Sequence, residues 1–335
     1  MKKQALIICL LLVVASCTNQ QQEVKSGPYL GEKQPGIDPV LFAPGTISTG
    51  LEETLCTFTP DGNEIIFGIL YSKPHSPKLH CSLVRSYLTG GVWSFPEIMK
   101  LSEDKYSHMY PFISYDGGEL YFQSDLPTNS PELKDKYNIW KCKRVGDHWS
   151  DPEPLPMPVN GRGDVSGPSM SANGEFYYTL MSGNPKLDGI YKSNFRDGTF
   201  SEPERLPESV NVKEGSFDGV ISPDGTYYLV NVYGKEDSYG ATDLYVSFKD
   251  ENEIWTPLKN LGSTINTKLN EGSARISSDG KYIFFSAVLG NQDFYNDSPT
   301  YGDILNTRTK PHFGNYDIYW VSTKIIEGLN PENVK

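Results

Sequence analysis

The sequence predicts an all-β chain, a five-bladed β-propeller with four strands per blade. One strand–turn–strand unit occurs five times: CTFTPDGNEIIF, PFISYDGGELYF, PSMSANGEFYYT, GVISPDGTYYLV and ARISSDGKYIFF. The second turn residues, Asp61, Asp116, Asn173, Asp224 and Asp279, stand 55, 57, 51 and 55 residues apart, a period that belongs to propellers and related repeat folds. The fifth unit also stops one strand short, near Ile326, while the start of the chain carries a spare strand.

Taken from the N-terminus, Met1-Lys2-Lys3 is a basic start and Ala5 to Val14 an apolar run. It is too short for a membrane span and has the charge pattern of a secretory signal. Val14-Ala15-Ser16-Cys17 resembles the lipobox of bacterial lipoproteins, which implies acylation at Cys17 and export to the cell envelope. Residues 1–16 are then the signal peptide, 17–35 the lipidated cysteine and a flexible polar tether, and 36–335 the propeller. No second apolar segment follows.

Within each blade, Asp-Gly or Asn-Gly supplies the positive φ of a tight hairpin. About twenty residues later comes a third strand: Leu79-His80, Asn138-Ile139-Trp140, Gly189-Ile190-Tyr191, Asp243-Leu244-Tyr245 and Asp317-Ile318-Tyr319. A fourth follows at Trp93-Ser94-Phe95-Pro96, Trp149-Ser150-Asp151-Pro152, Phe200-Ser201-Glu202-Pro203 and Trp255-Thr256-Pro257. For the fifth blade it is Ile37-Asp38-Pro39, which precedes the first Asp-Gly turn by the same distance as Pro257 precedes the fifth. Closing the ring this way leaves no open sheet edge. The strand-Ser-Pro-Asp-Gly-strand unit resembles the WD40-like, Tol-B-type propeller repeat, and the resemblance covers the chain from about Gly36 to Ile326. It implies the fold and leaves function to the site.

Loss of residues 1–16 removes two lysines and no acid, so the formal charge of −12 becomes −14. Such a body is unsuited to nucleic acid or to an anionic membrane surface. Cys56, Cys81 and Cys142 follow no zinc or disulfide spacing and are expected as buried thiols. No ligand spacing marks a divalent-ion site, and no phosphate loop, dinucleotide fingerprint or nucleophile elbow occurs, so no cofactor is expected.

The loops between second and third strands are long and the Asp-Gly turns opposite are tight. The site is therefore expected on the long-loop face, over the central channel. Glu53, His108, Asp164, Glu214 and Glu271 enter the inner strands there, with Tyr110, Asp218 and Arg275 slightly deeper. His108 and Tyr110, two residues apart, are expected on the same side of one strand. His75 and His80 border the first blade's loop, and Arg308, Lys310 and His312 lie in the fifth blade's, the longest.

The build resembles that of propeller lipoproteins of glycan-degrading bacteria, a group that includes ulvan oligosaccharide dehydratases. The resemblance implies an envelope-anchored carbon–oxygen lyase that eliminates water from the non-reducing-end uronic acid of an oligosaccharide, an anionic partner. Elimination needs a base for the C5 proton, an acid for the departing hydroxyl and a cation for the carboxylate. His108, Tyr110 and Arg275 are assigned those roles; Glu53, His75, His80, Asp164, Asp218, Glu271, Arg308 and His312 are assigned to substrate binding. The alternatives are a glycoside hydrolase using inner-strand carboxylates and a non-catalytic glycan-binding or scaffold lipoprotein.

Overall fold

A computed structural model describes residues 25–73, 76, 78–103, 105–288, 300, 311 and 315–331. The strands gather into five antiparallel sheets, the blades of a β-propeller. Blade 1 comprises Glu52–Phe58, Glu64–Ser72, Leu79–Thr89 and an outer strand in two pieces, Val92–Trp93 and Glu97–Ile98. Blades 2, 3 and 4 begin at the inner strands His108–Ile113, Asp164–Met170 and Ser216–Ile221. Blade 5 is built from Glu271–Ile276, Tyr282–Ala287, Asp317–Ser322 and, from the far end of the chain, Val40–Leu41.

The hairpins form where the sequence places them. A hydroxyl two residues before each turn residue donates to its side-chain oxygen: Thr59 to Asp61 at 2.6 Å, Ser114 to Asp116 at 2.6 Å, Ser222 to Asp224 at 2.6 Å and Ser277 to Asp279 at 2.7 Å. Asn173 accepts from Ser171 in the same way. The glycines that follow, from Gly62 (φ 68°) to Gly280 (φ 71°), take the left-handed conformation that a side chain disfavours.

Ring closure pairs Val40 with Trp320 and Leu41 with Tyr319. The pairing begins at Val40, just past the expected Ile37-Asp38-Pro39, because Pro39 has no N–H to give a ladder. A second fastener repeats around the ring. The loop leaving the outer strand of blades 2, 3, 4 and 5 inserts an apolar residue and then a polar one: Val159-Asn160, Val210-Asn211, Ile265-Asn266 and Ile47-Ser48, all with 2 % exposure or less. Asn160, Asn211 and Asn266 each accept from one third-strand N–H (Ile139, Ile190, Leu244) and donate back to the same residue's carbonyl. Ser48 does the same at Ile318 of blade 5, so the N-terminal segment carries the complete fastening set of the blade it closes.

The apolar residues form five clusters, one in each seam between neighbouring blades. The seam between blades 5 and 1 contains Leu30, Phe42, Phe58, Phe284 and Trp320, with Tyr29 packed against it. The tether expected to run to residue 35 is therefore shorter. Leu30 is fully buried, Tyr29 stacks edge-on to Phe58 at 4.9 Å, and Lys25 pairs with Glu32 at 2.8 Å. Two aromatic and aliphatic side chains in an otherwise polar stretch are the reason it folds onto the ring. Cys56, Cys81 and Cys142 are buried and free, and no helix among the described residues is long and apolar enough to cross a membrane.

Candidate functional site

Each inner strand contains the same β-bulge, where one extra residue opposes the second strand. The residue at its centre lies six positions before the turn residue and is left-handed in all five copies: Leu55, Tyr110, Gly167, Asp218 and Ser273, with φ of 34°, 55°, 58°, 48° and 56°. Holding a residue with a side chain there costs about 1–3 kcal/mol each. In three seams the preceding blade supports the bulge by accepting its N–H: Ser286 from Leu55 at 2.8 Å, Thr179 from Asp218 at 2.9 Å and Asn231 from Ser273 at 3.1 Å.

The bulges re-aim these side chains and open a cavity of about 210 Å³ at the long-loop end of the channel. Tyr110, Asp218, Glu271, Asn231, Ser273 and Thr242 supply polar groups; Leu70, Met109, Phe217 and Tyr316 supply apolar walls. Gly167 makes room at the blade-3 position. A Cβ there would stand 2.9 Å from the Asp218 Cα and 3.0 Å from its Oδ1.

Asp218 is the chemical centre. It is 7 % exposed, and its Oδ1 accepts from Ser166 at 2.5 Å. Burial pushes its carboxyl above the usual range, against the pull of hydrogen bonds from Ser166 and Tyr110 and of the Arg275 charge. The Tyr110 phenol is held far above its ordinary pKa, first by the Asp218 charge, then by burial. The tyrosine is thus a firm proton donor to Asp218. Glu271, 1 % exposed, is raised by burial although Thr267 donates to it through both Oγ1 (2.6 Å) and the backbone N–H (2.9 Å).

Arg275 does not line the cavity. It lies buried beneath, at 2 % exposure, and reaches across the ring from blade 5 to blade 2. Nε donates to the Pro111 carbonyl at 3.1 Å and Nη1 to Ala274 at 3.0 Å, with the Tyr110 carbonyl 3.5 Å from Nη2. Burial lowers its pKa to about 10, opposed first by Asp218, so it stays charged at neutral pH. Tyr115 of blade 2 makes a second crossing, donating to the Ile221 carbonyl of blade 4 at 2.9 Å. The channel is therefore plugged under the cavity, and the expected carboxylate clamp is a crosslink that balances Asp218.

His108 is likewise absent from the lining. The bulge at Tyr110 breaks the two-residue alternation that placed both on one side. Its ring nitrogens meet Ser124 and Ser102 hydroxyls at 2.9 Å each, and burial lowers its pKa to about 4. Glu53 occupies the equivalent place in blade 1. It is fully buried, holds Thr49 through that residue's N–H and hydroxyl, and is pushed up to about 7 by burial. Glu271 is the blade-5 counterpart, so the position two before the bulge ties down the incoming loop. Asp164 accepts from the Tyr137 N–H at 2.8 Å, Glu214 pairs with Lys213 at 3.6 Å, and His80 meets Ser76 at 3.0 Å. None of these lines the cavity. Of the residues expected at the site, Tyr110, Asp218 and Glu271 come together there. His75, Arg308, Lys310, His312 and Cys17 lie outside the described residues. Among the described residues no cluster of histidine, cysteine or carboxylate side chains could hold a metal.

Asn231, Ser273 and Thr242 were missed from sequence. Asn231 carried a signal: Gln123, Thr179, Asn231 and Ser286 each interrupt an apolar second strand opposite the bulge.

No family model and no curated protein matches the chain. Among solved structures, BT0996 in its RGII complex aligns at TM-score 0.50 and 11 % identity, over 90 % of this chain and 92 % of that one. The GH43 endo-arabinanase from Bacillus licheniformis aligns at 0.48 and 11 %, over 83 % and 94 %. TolB from Acinetobacter baumannii aligns at 0.43 and 13 %, over 82 % of this chain and 55 % of its own, so the chain spans about half of TolB's length. Likenesses at this identity establish the fold alone.

Proposed function

We propose that the protein is an envelope-anchored enzyme that breaks a carbon–oxygen bond in the terminal unit of an oligosaccharide. The observation that carries the reading is the blind cavity at the mouth of the plugged channel, with the Tyr110–Asp218 pair at its centre. At about 210 Å³ it is smaller than the pockets that take drug-sized ligands, which suits a single sugar ring and hence an end of a chain. Mixed apolar and polar walls suit the faces and hydroxyls of that ring. Breaking the bond needs a proton for the departing oxygen, and Asp218 in its protonated form supplies it, directly or through the Tyr110 hydroxyl bonded to it; Glu271 is the second carboxyl, available as base. BT0996, of similar build, forms a complex with RGII, which accords with a glycan ligand.

Two acids and no cation among the described lining residues favour hydrolysis, in which Glu271 activates water. Dehydration of a terminal uronic acid remains the second reading. It requires a cation at the sugar carboxylate, and its remaining candidates, Arg308, Lys310 and His312, come from the long loop of blade 5. Mass spectra of neutral and uronic-acid oligosaccharides after incubation with the Cys17→Ser protein separate the two. Cleavage with gain of water means hydrolysis; loss of one water without chain cleavage means elimination. Unchanged oligosaccharides across both classes would overturn the enzymatic reading.

A further inference from the structure

We infer that the protein sits on its membrane with the Asp-Gly turn face toward the lipid and the cavity mouth pointing away. The inference rests on the reading that Cys17 is acylated, and adds which surface meets the bilayer. The backbone hydrogen bonds that tie the first described residues to the ring lie at the turn face. The Lys25 carbonyl accepts from the Trp93 N–H at 3.2 Å and the Gly27 carbonyl from the Trp93 indole at 2.8 Å, just after the turn that joins blade 1's third strand to Val92–Trp93. The Tyr29 N–H donates to Gly62, in the first Asp-Gly turn, at 2.9 Å. Gly36 accepts from Ser322 at 2.8 Å, where the last third strand ends on that face. Pro28 and Tyr29 approach Gly62 so closely that a Cβ there would lie 3.2–3.3 Å from them.

Reach decides the orientation. Eight chain steps lead from Cys17 to Lys25, and fully extended they span at most about 28 Å. A seven-residue strand is roughly 23 Å tall. To bring the mouth to the bilayer, the tether would have to climb the outer edge of blade 1 and would retain only about 5 Å, pressing the long loops into the headgroups. With the turn face down, none of that reach is spent on the height of the blade, and the ring can settle with its turns at the headgroups. A polymer outside the membrane then meets an open mouth.

The test uses the lipidated full chain in vesicles containing spin-labelled headgroups. Single cysteines carry a fluorophore at Asp147→Cys or Glu251→Cys on the turn face and at Lys186→Cys or Glu236→Cys on the long-loop face. All four residues are exposed, whereas Cys56, Cys81 and Cys142 are buried. Glu236 and Glu251 share blade 4, so their difference reads the face rather than the blade. Turn-face labels should lose about half of their emission or more, and long-loop labels less than about a tenth, because contact quenching does not cross roughly 23 Å of sheet. Equal or reversed quenching in a vesicle-bound protein overturns the orientation alone. Failure of the wild-type chain to bind vesicles overturns the anchor reading and the orientation with it.

Discussion

Tyr110, Asp218 and Arg275 form a line of proton donor, acceptor and buried counter-charge, and each constrains what the others can do. Tyr110→Phe removes the hydroxyl that bonds Asp218 at the cavity. It should lower turnover on a substrate found by mass spectrometry by about 100- to 10,000-fold, the range for a general acid, with the melting temperature near that of the parent. Full turnover in a folded Tyr110→Phe protein would exclude the tyrosine as proton donor. Arg275→Ala has a different signature. It strips two carbonyls of their donor and leaves Asp218 unbalanced in the interior, so stability should fall by about 3–5 kcal/mol in denaturant titrations. Glu53 gives a pH prediction. Its folded pKa, about 7, exceeds that of an unfolded glutamate, about 4.3, so the folded state binds the extra proton. Its stabilising contribution is complete below about pH 4 and is lost as pH rises through 7. Glu53→Gln keeps the acceptor for Thr49 and cannot ionise. Its melting temperature should exceed that of the parent at pH 8 by more than at pH 5; an equal difference at both pH values would show that Glu53 does not titrate in that window.

At the level of strands and loops, legibility followed chemistry. The five hairpins could be read because a tight turn with positive φ demands Asp-Gly or Asn-Gly, and the demand leaves Asp-Gly four times and Asn-Gly once. The bulge six residues upstream is as regular in geometry, yet it is occupied by Leu55, Tyr110, Gly167, Asp218 and Ser273. At Leu55, Asp218 and Ser273 its support is a neighbouring blade's polar side chain, not a preference of the residue itself, so no shared letter marks it. Strict alternation through it therefore misplaced His108 and Arg275. Tyr110, Asp218 and Glu271 were found because charge and aromatic side chains at strand entrances stand out without knowledge of the bulge. The loop fasteners were legible but unread: an apolar residue followed by Asn at 160, 211 and 266 lies seven positions before the bulges at Gly167, Asp218 and Ser273. Asn211 makes three bonds, from the Ile190 N–H at 2.7 Å and to the Ile190 and Leu206 carbonyls at 3.1 and 2.8 Å. Asn211→Ala should cost about 3 kcal/mol in urea unfolding, since it strands buried backbone groups. A loss below about 0.5 kcal/mol would mean that the apolar Val210 alone holds the loop.

For the whole molecule, the seam between blades 5 and 1 is unlike the other four. Connectivity holds those together, whereas this one depends on non-covalent pairing between the two ends of the chain. The structure adds a second layer to the strand exchange: Tyr29 and Leu30 fold over the seam from the turn face, against Phe58, Phe284 and Trp320. Three deletions separate the layers. Removing residues 18–24 takes away only chain before the first described contact, and the melting temperature should hold. Removing 18–35 also strips Leu30 and Tyr29. Burial of one large apolar side chain is worth about 1.5–3 kcal/mol, so this protein should stay folded but lose about 3–5 kcal/mol and melt several degrees lower. Removing 18–41 takes the closing strand as well and exposes the edge of Asp317–Ser322, whose unpaired backbone invites association with another chain. It should run as oligomers or precipitate on size-exclusion chromatography. If the second deletion melts with the first, the folded segment is a passenger on the seam; if the third stays monomeric and as stable as the second, the ring is not closed by its N-terminal strand.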